Sequence, residues 1–129
     1  MEGKGLPRLT RRPEFLLVAG SGRKAVLPGV VLQARPRSPD SDAAAPDGGQ
    51  TPRFGFTATR KIGGAVVRNR ARRRLKAAAQ LLGARLARPG VDYVLIARAG
   101  TLSRAWPKLL RDVEQAFERV LTAPPRTSS

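Results

Sequence analysis

The chain has 129 residues, with Lys plus Arg at 25 against 9 Asp plus Glu, a formal net charge of +16, and neither His nor Cys. That is chain enough for one domain, and it excludes disulfides, thiol and imidazole catalysis, the usual triads and most zinc sites. Arginine supplies 20 of the cations, and its planar bidentate fork points to a polyanionic partner rather than to mere solubility.

The first expected element is a helix over Leu9–Ala19, with Thr10 as N-cap, Pro13 tolerated in the first turn and Gly20 as the stop. At that length it must dock on something to be stable. Its apolar run, Phe15 to Ala19, is shorter than the roughly 7–15 residues of a secretory core or the about 20 of a membrane span. A soluble, cytoplasmic protein with no membrane partner is therefore expected.

Gly29–Arg35 alternates, with Val30, Leu32 and Ala34 facing one way and Val31, Gln33 and Arg35 the other. Arg53–Thr59 repeats the pattern, with Phe54, Phe56 and Ala58 inside and Arg53, Gly55, Thr57 and Thr59 outside, so both read as half-buried strands. Between them, residues 36–52 hold four prolines, two glycines and three aspartates without a large apolar side chain. Such a stretch buries too little surface to offset its ordering entropy and is expected to be a disordered loop.

A long helix from Val66 to about Leu86 carries Val67, Ala71, Leu75, Ala78, Leu82 and Leu86 as one apolar stripe and ends at Pro89-Gly90. Val91–Ala97 is nearly all apolar, as a central strand covered on both faces would be. Ala105–Leu121 places Trp106, Leu109, Leu110, Val113, Phe117 and Val120 on one helical face, with Ser103 as candidate N-cap and Pro107 in the first turn. The tail, residues 123–129, reads as flexible, so one domain over 1–129 is ordered at about 7–122. Hairpin strands followed by a strand–helix–strand unit predict an α/β (α+β) sandwich: a small sheet of about four strands with three helices.

The distinctive segment is Arg60–Lys76, in which eight of seventeen residues are cationic and none is acidic. On a helical wheel Arg70 and Arg73 point away from the Leu75 stripe, while Arg72, Arg74 and Lys76 flank it. Like charges at i, i+3 and i+4 repel, so this helix is costly unless an anion neutralises it. Arg68 falls near the apolar side if the helix begins before it; otherwise it lies beside Asn69 in the first turn, where free backbone N–H groups favour phosphate. Gly63-Gly64 reads equally as a plain strand-to-helix turn or as a close approach to a phosphate. No Gly-x-x-x-x-Gly-Lys-Ser/Thr loop is present.

The segment RFGFTATRKIGGAVVRNRARRRLK, residues 53–76, resembles the signature of the bacterial ribonuclease P protein component, with Arg68-Asn69-Arg70 as its hallmark. The flanks agree: Arg-Leu-x-x-Arg-x-x-Phe over Arg8–Phe15, and Pro-Gly-x-Asp-Tyr-Val-Leu-Ile-Ala-Arg over Pro89–Arg98. The resemblance implies a subunit that joins a catalytic RNA and assists magnesium-dependent removal of the 5′ leader from precursor tRNA, the hydrolysis being carried by the RNA. It also implies a left-handed β-α-β crossover, against the usual right-handed rule.

Carried onto this chain, the resemblance assigns the catalytic RNA to Arg60, Lys61, Arg68, Asn69, Arg70, Arg72, Arg73, Arg74 and Lys76. It assigns the single-stranded leader to a cleft of Phe15, Val31, Gln33, Thr57 and Thr59. Phe15 fits a core position as well as a stacking one. The chain departs from the pattern in a cleft where family members often carry more aromatics: it has Ala19 and Gln33 where such rings can occur, which weakens the expected stacking. The alternative is a ribosomal-protein-like structural RNA binder without a processing role. A self-contained metal nuclease would need converging carboxylates, yet the acids keep clear of the basic region and only Asp112, Glu114 and Glu118 lie close together. A DNA-binding helix-turn-helix is disfavoured because the basic helix follows a strand.

Overall fold

In the computed structural model, four alternating runs pair into one mixed sheet of order β1-β2-β4-β3. The strands are β1 (Arg23–Leu27), β2 (Val30–Pro36), β3 (Arg53–Thr57) and β4 (Val91–Ala97), and the helices are α1 (Arg12–Gly20), α2 (Ala65–Leu86), α3 (Ala99–Ser103) and α4 (Trp106–Val120). The structure describes residues 7–21, 23–37 and 51–122; most of the expected loop, 38–50, and the expected tail lie outside these. β1 and β2 are antiparallel, as are β2 and β4, whereas β3 runs parallel to β4 and reaches it through α2.

The period-2 rule sorts the sheet's side chains onto two faces. One face gives Val30, Leu32, Ala34, Phe54, Phe56, Tyr93 and Leu95 to the main core, where they meet Leu75 and Ala78 of α2 and Leu109, Val113 and Phe117 of α4. The rings of Tyr93 and Phe117 meet edge-on at 5.0 Å between centroids, and Phe54 stacks on Tyr93 at 5.7 Å. The opposite face carries a smaller cluster in which Val18 of α1 packs with Leu9 and Val94, flanked by Phe15 and Ile96. α1 is thus docked, as its length demands.

The expected boundaries shift where long-range bonds intervene. Leu9 is not helical: residues 7–9 pair along the edge of β3, with Leu9 N–H donating to Phe54 O and Phe54 N–H to Pro7 O, both at 2.9 Å. The Glu14 carboxylate accepts from the N–H groups of Thr10 and Arg11 at 3.1 and 3.0 Å, so α1 starts at Arg12 with Arg11, not Thr10, as N-cap. Ser103 closes α3 and caps nothing in α4, whose N-cap is Ala105. The five-residue α3 is a fourth helix that periodicity did not announce; the buried Thr101 holds it by donating to Gly29 O at 2.6 Å.

One buried carboxylate fastens three of the strands' ends. Asp92 of β4 lies between Arg35 of β2 and Arg53 of β3 in register, and its side chain is 3% exposed. It accepts from Arg37 Nη1 at 2.5 Å and from Nε and Nη2 of Arg53 at 2.9 Å. Arg53 also reaches Glu14 of α1 at 3.2 Å, and Arg37 donates to Thr51 O at 2.6 Å. The ends of the expected 36–52 loop therefore belong to the framework: Pro36 closes β2, and Arg37 ties the two sides of the loop together.

Removing this carboxylate strands two guanidinium groups in a confined site. Asp92→Ala is expected to lower the unfolding free energy by about 3–5 kcal/mol, measured by urea denaturation followed by circular dichroism. A loss below about 1 kcal/mol would show that the network is solvated rather than structural.

Candidate nucleic-acid interface

The basic segment begins where β3 leaves the sheet. Thr57 is the last residue of β3; Thr59, expected on the same strand face, is instead the exposed N-cap of a 3-10 turn over Arg60–Ile62 that displays Arg60 and Lys61 to solvent. Gly63 closes that turn at φ 143°, a conformation open to glycine, and a Cβ there would meet Val67 at 2.9 Å. Gly64 is the N-cap of α2 with nothing within 4 Å of a Cβ position. The pair therefore divides the two readings: Gly63 makes the turn, and Gly64 leaves the helix start uncovered.

α2 begins at Ala65, and Arg68 N–H already donates to Gly64 O at 2.9 Å. The first-turn placement of Arg68 beside free amides is thereby corrected. It sits at the start of the second turn on the apolar side, half-buried, and its Nε is a buried donor without a partner. Arg70 and Arg73 are exposed on the outer side, as is Asn69, which accepts from Arg72. Arg72 and Lys76 are half-buried flanks.

Arg74 departs from this set. Its Nη1 donates to the carbonyls of Thr101 and Arg104 at 2.6 and 2.7 Å, and its guanidinium lies 5.6 Å from the Trp106 ring centroid. It joins α2 to the α3–α4 corner. Among the described residues no carboxylate lies within ion-pair distance of Arg60, Lys61, Arg68, Arg70, Arg72, Arg73 or Lys76.

A residue outside the basic segment joins this surface. Arg8, held by the backbone pairing of residues 7–9, lies 5.1 Å over the Phe56 ring. With Asn69, Arg72, Arg73 and Lys76 it lines a pocket of about 140 Å³ whose floor is Phe56. The Arg-Leu-x-x-Arg-x-x-Phe run held the signal for it, but only the pairing of residues 7–9 with β3 brings it to α2.

The second surface is the face bearing α1. Registration sets Val26, Val31, Ile96 and Thr57 side by side across the four strands, and Lys24, Gln33, Val94 and Gly55 in the next row. Phe15 lies on the second row: a Cβ on Gly55 would stand 2.4 Å from its ring, so the glycine is what admits it. Phe15 is half-buried and flanks the Val18 cluster, which joins its core and cleft readings in one position. Val31, Gln33 and Thr57 are half-buried, and Ile96, the half-exposed member of β4, completes their row.

Glu14 stands at the end of this cleft. Burial raises its carboxyl pKa, but the N–H groups of Arg11 and Thr10 and the charge of Arg53 outweigh that and hold it below the ordinary value. A lowered carboxyl contributes stability that is present above the ordinary carboxylate range and lost as pH falls through the lowered value. The part of α1's attachment that Glu14 supplies is therefore lost in acid.

The family model for ribonuclease P matches residues 4–121. The chain is 51% identical over 111 residues to the ribonuclease P protein component of Caulobacter vibrioides, covering 85% of this chain and 68% of that one. It is 46% identical over 112 residues to the corresponding protein of Gluconacetobacter diazotrophicus, covering 87% and 89%. The fold is similar to that of the Staphylococcus aureus RNase P protein, with a TM-score of 0.67 at 16% identity over 86% of this chain and 92% of that one. The RNase P protein of Thermotoga maritima gives 0.65 at 21% identity over 84% and 92%.

The different use of neighbouring arginines is testable on the protein alone. Arg74→Ala leaves two carbonyls without their donor and should cost about 1.5–3 kcal/mol. Arg73→Ala relieves repulsion and should leave stability unchanged or slightly raised at low salt. Equal losses in thermal or urea unfolding would contradict the division.

Proposed function

This chain belongs to the ribonuclease P protein family, and we propose that it acts in the tRNA-processing ribonucleoprotein by positioning and charge neutralisation, with hydrolysis carried by the RNA. Family membership favours this over a purely structural role of the ribosomal-protein kind. The observation that carries the reading is the placement of the acids. Among the described residues, Glu14 and Asp92 pair with Arg53, Asp112 with Arg104 and Glu114 with Arg85, while the basic front of α2 has no acid beside it.

Arg60 and Lys61 of the 3-10 turn, Asn69, Arg70, Arg72, Arg73 and Lys76 on the front of α2, and Arg68 at its half-buried edge bind the catalytic RNA through phosphates. Arg74 supports that surface from behind. The row of Val31, Ile96 and Thr57, with Phe15 and Gln33 beside it and Thr59 at its exit, takes the leader strand of precursor tRNA. An extended, unstacked strand offers bases to an aromatic edge and to a shallow, mostly uncharged sheet face.

Magnesium would supply the activated water and leaving-group stabilisation of phosphodiester hydrolysis. Among the described residues no group of three or more acids converges as a metal site, and Asp112 and Glu114 are occupied by arginines, so we place the ions on the RNA. No described helix is long and apolar enough to cross a membrane, and we place the protein in the cytoplasm with its RNA partners.

The assay is 5′-leader removal from precursor tRNA by protein alone, the organism's ribonuclease P RNA alone, and both. Protein alone should be inactive, and its addition should lower the magnesium needed by the RNA. Cleavage by protein freed of RNA would overturn the assignment of catalysis.

A further inference from the structure

Beside the phosphate-binding front, α2 and α3 border a shallow, open recess of about 380 Å³ lined by Arg70, Arg73, Arg74, Ala77 and Leu102. That volume falls within the ~300–1,000 Å³ of small-ligand sites. Ala77 and Leu102 give the lining its carbon floor, and Arg70, Arg73 and Arg74 its charge. The Arg74 wall is fixed, since its guanidinium donates to Thr101 O and Arg104 O at 2.6 and 2.7 Å and lies against Trp106. Arg70 and Arg73 are exposed and have no ion-pair partner among the described residues.

Few occupants satisfy both halves of this recess. A bare phosphate gains nothing from a carbon floor, and an apolar peptide would desolvate two unpaired cations at its edge. A nucleotide carries a planar face and an anion about one ring apart. We propose that the recess takes one unstacked nucleobase of the RNA partner, packed on Ala77 and Leu102, with Arg70 and Arg73 on its flanking phosphates. The floor carries no hydrogen-bonding group of its own to read a base edge, so acceptance is tolerant of base identity and strict about the base being unpaired.

The inference rests on the RNA-binding reading above, and the test separates the two. Affinity for the organism's ribonuclease P RNA is measured over a salt series for the full chain, for the filling variants Ala77→Leu and Ala77→Met, and for Gln80→Leu, an exposed control on the same helix. Circular dichroism monitors native helicity, and Gln80→Leu, outside the recess, should bind as the unaltered chain does.

The filling variants should bind about 5- to 150-fold more weakly while the slope of log K against log salt stays unchanged, because no phosphate contact is lost. A base protected from dimethyl sulfate or carbodiimide in the normal complex should become reactive in the Ala77→Leu complex. If the unaltered chain fails to bind the RNA, the RNA-binding reading falls. If it binds and the folded filling variants match it, or weaken without a change in base reactivity, the recess is not a base site and the RNA-binding reading stands.

Discussion

The buried carboxylate of Asp92 is the constraint from which the rest of the architecture follows. It sits between β2 and β3, takes Arg37 and Arg53 as partners, and through Arg53 reaches Glu14 on α1. With 9 acids against 25 cations, a chain of random pairing would scatter its carboxylates over the most crowded cationic surface. Among the described residues Glu14, Asp92 and Asp112 are drawn into the framework instead, at the sheet end and at Arg104 beside α4, while Glu114 meets Arg85 at the surface near the end of α2. Arg68, Arg70, Arg72, Arg73 and Lys76 are left close to one another on the first turns of α2, with no acid of the described residues beside them. That is unfavourable for the free protein and favourable against a polyanion, because binding relieves the mutual repulsion and gives each cation a phosphate at the same time.

The same framework holds the two surfaces in fixed relation. β3 gives Thr57 to the sheet row of Val31 and Ile96, and within a few residues the chain has turned through Arg60–Ile62 into α2. On the proposed reading, a leader lying across β2, β4 and β3 would run toward the helix assigned to the catalytic RNA. Only the 3-10 turn and the glycine pair separate the sheet row from the basic helix, which suits the geometric contribution proposed above.

Much of this is legible in the residues alone, and the failures share a cause. The Leu75 stripe, the alternation of Val30, Leu32 and Ala34, and the outward Arg70 and Arg73 follow from helical and strand periods, which are local. β1 is short, and its Lys24 and Val26 face outward, so its alternation is faint. α3 has only five residues, held by Thr101 reaching Gly29, a contact invisible in any window. Arg74 looks like its neighbours by charge and wheel angle; only carbonyls 27 and 30 residues away decide that it faces inward. Leu9 reads as the start of a helix because the edge of β3, which claims its N–H, lies 45 residues on at Phe54. Periodicity assigns faces, whereas long-range hydrogen bonds assign boundaries and tell framework arginines from solvent-facing ones.

The central claim is that unpaired arginines and lysines on the front of α2 and its preceding turn do their work by replacing counterions on RNA phosphates. The direct measurement is the affinity of the full chain for its ribonuclease P RNA across a range of monovalent salt at fixed magnesium. If most of Arg60, Lys61, Arg68, Arg70, Arg72, Arg73 and Lys76 meet a phosphate, log K should fall with log salt at a slope of about −4 to −6, at roughly 0.7–0.9 per contact. A slope of about −1 or shallower, with tight binding retained, would show that the complex is held by other contacts and would contradict the account.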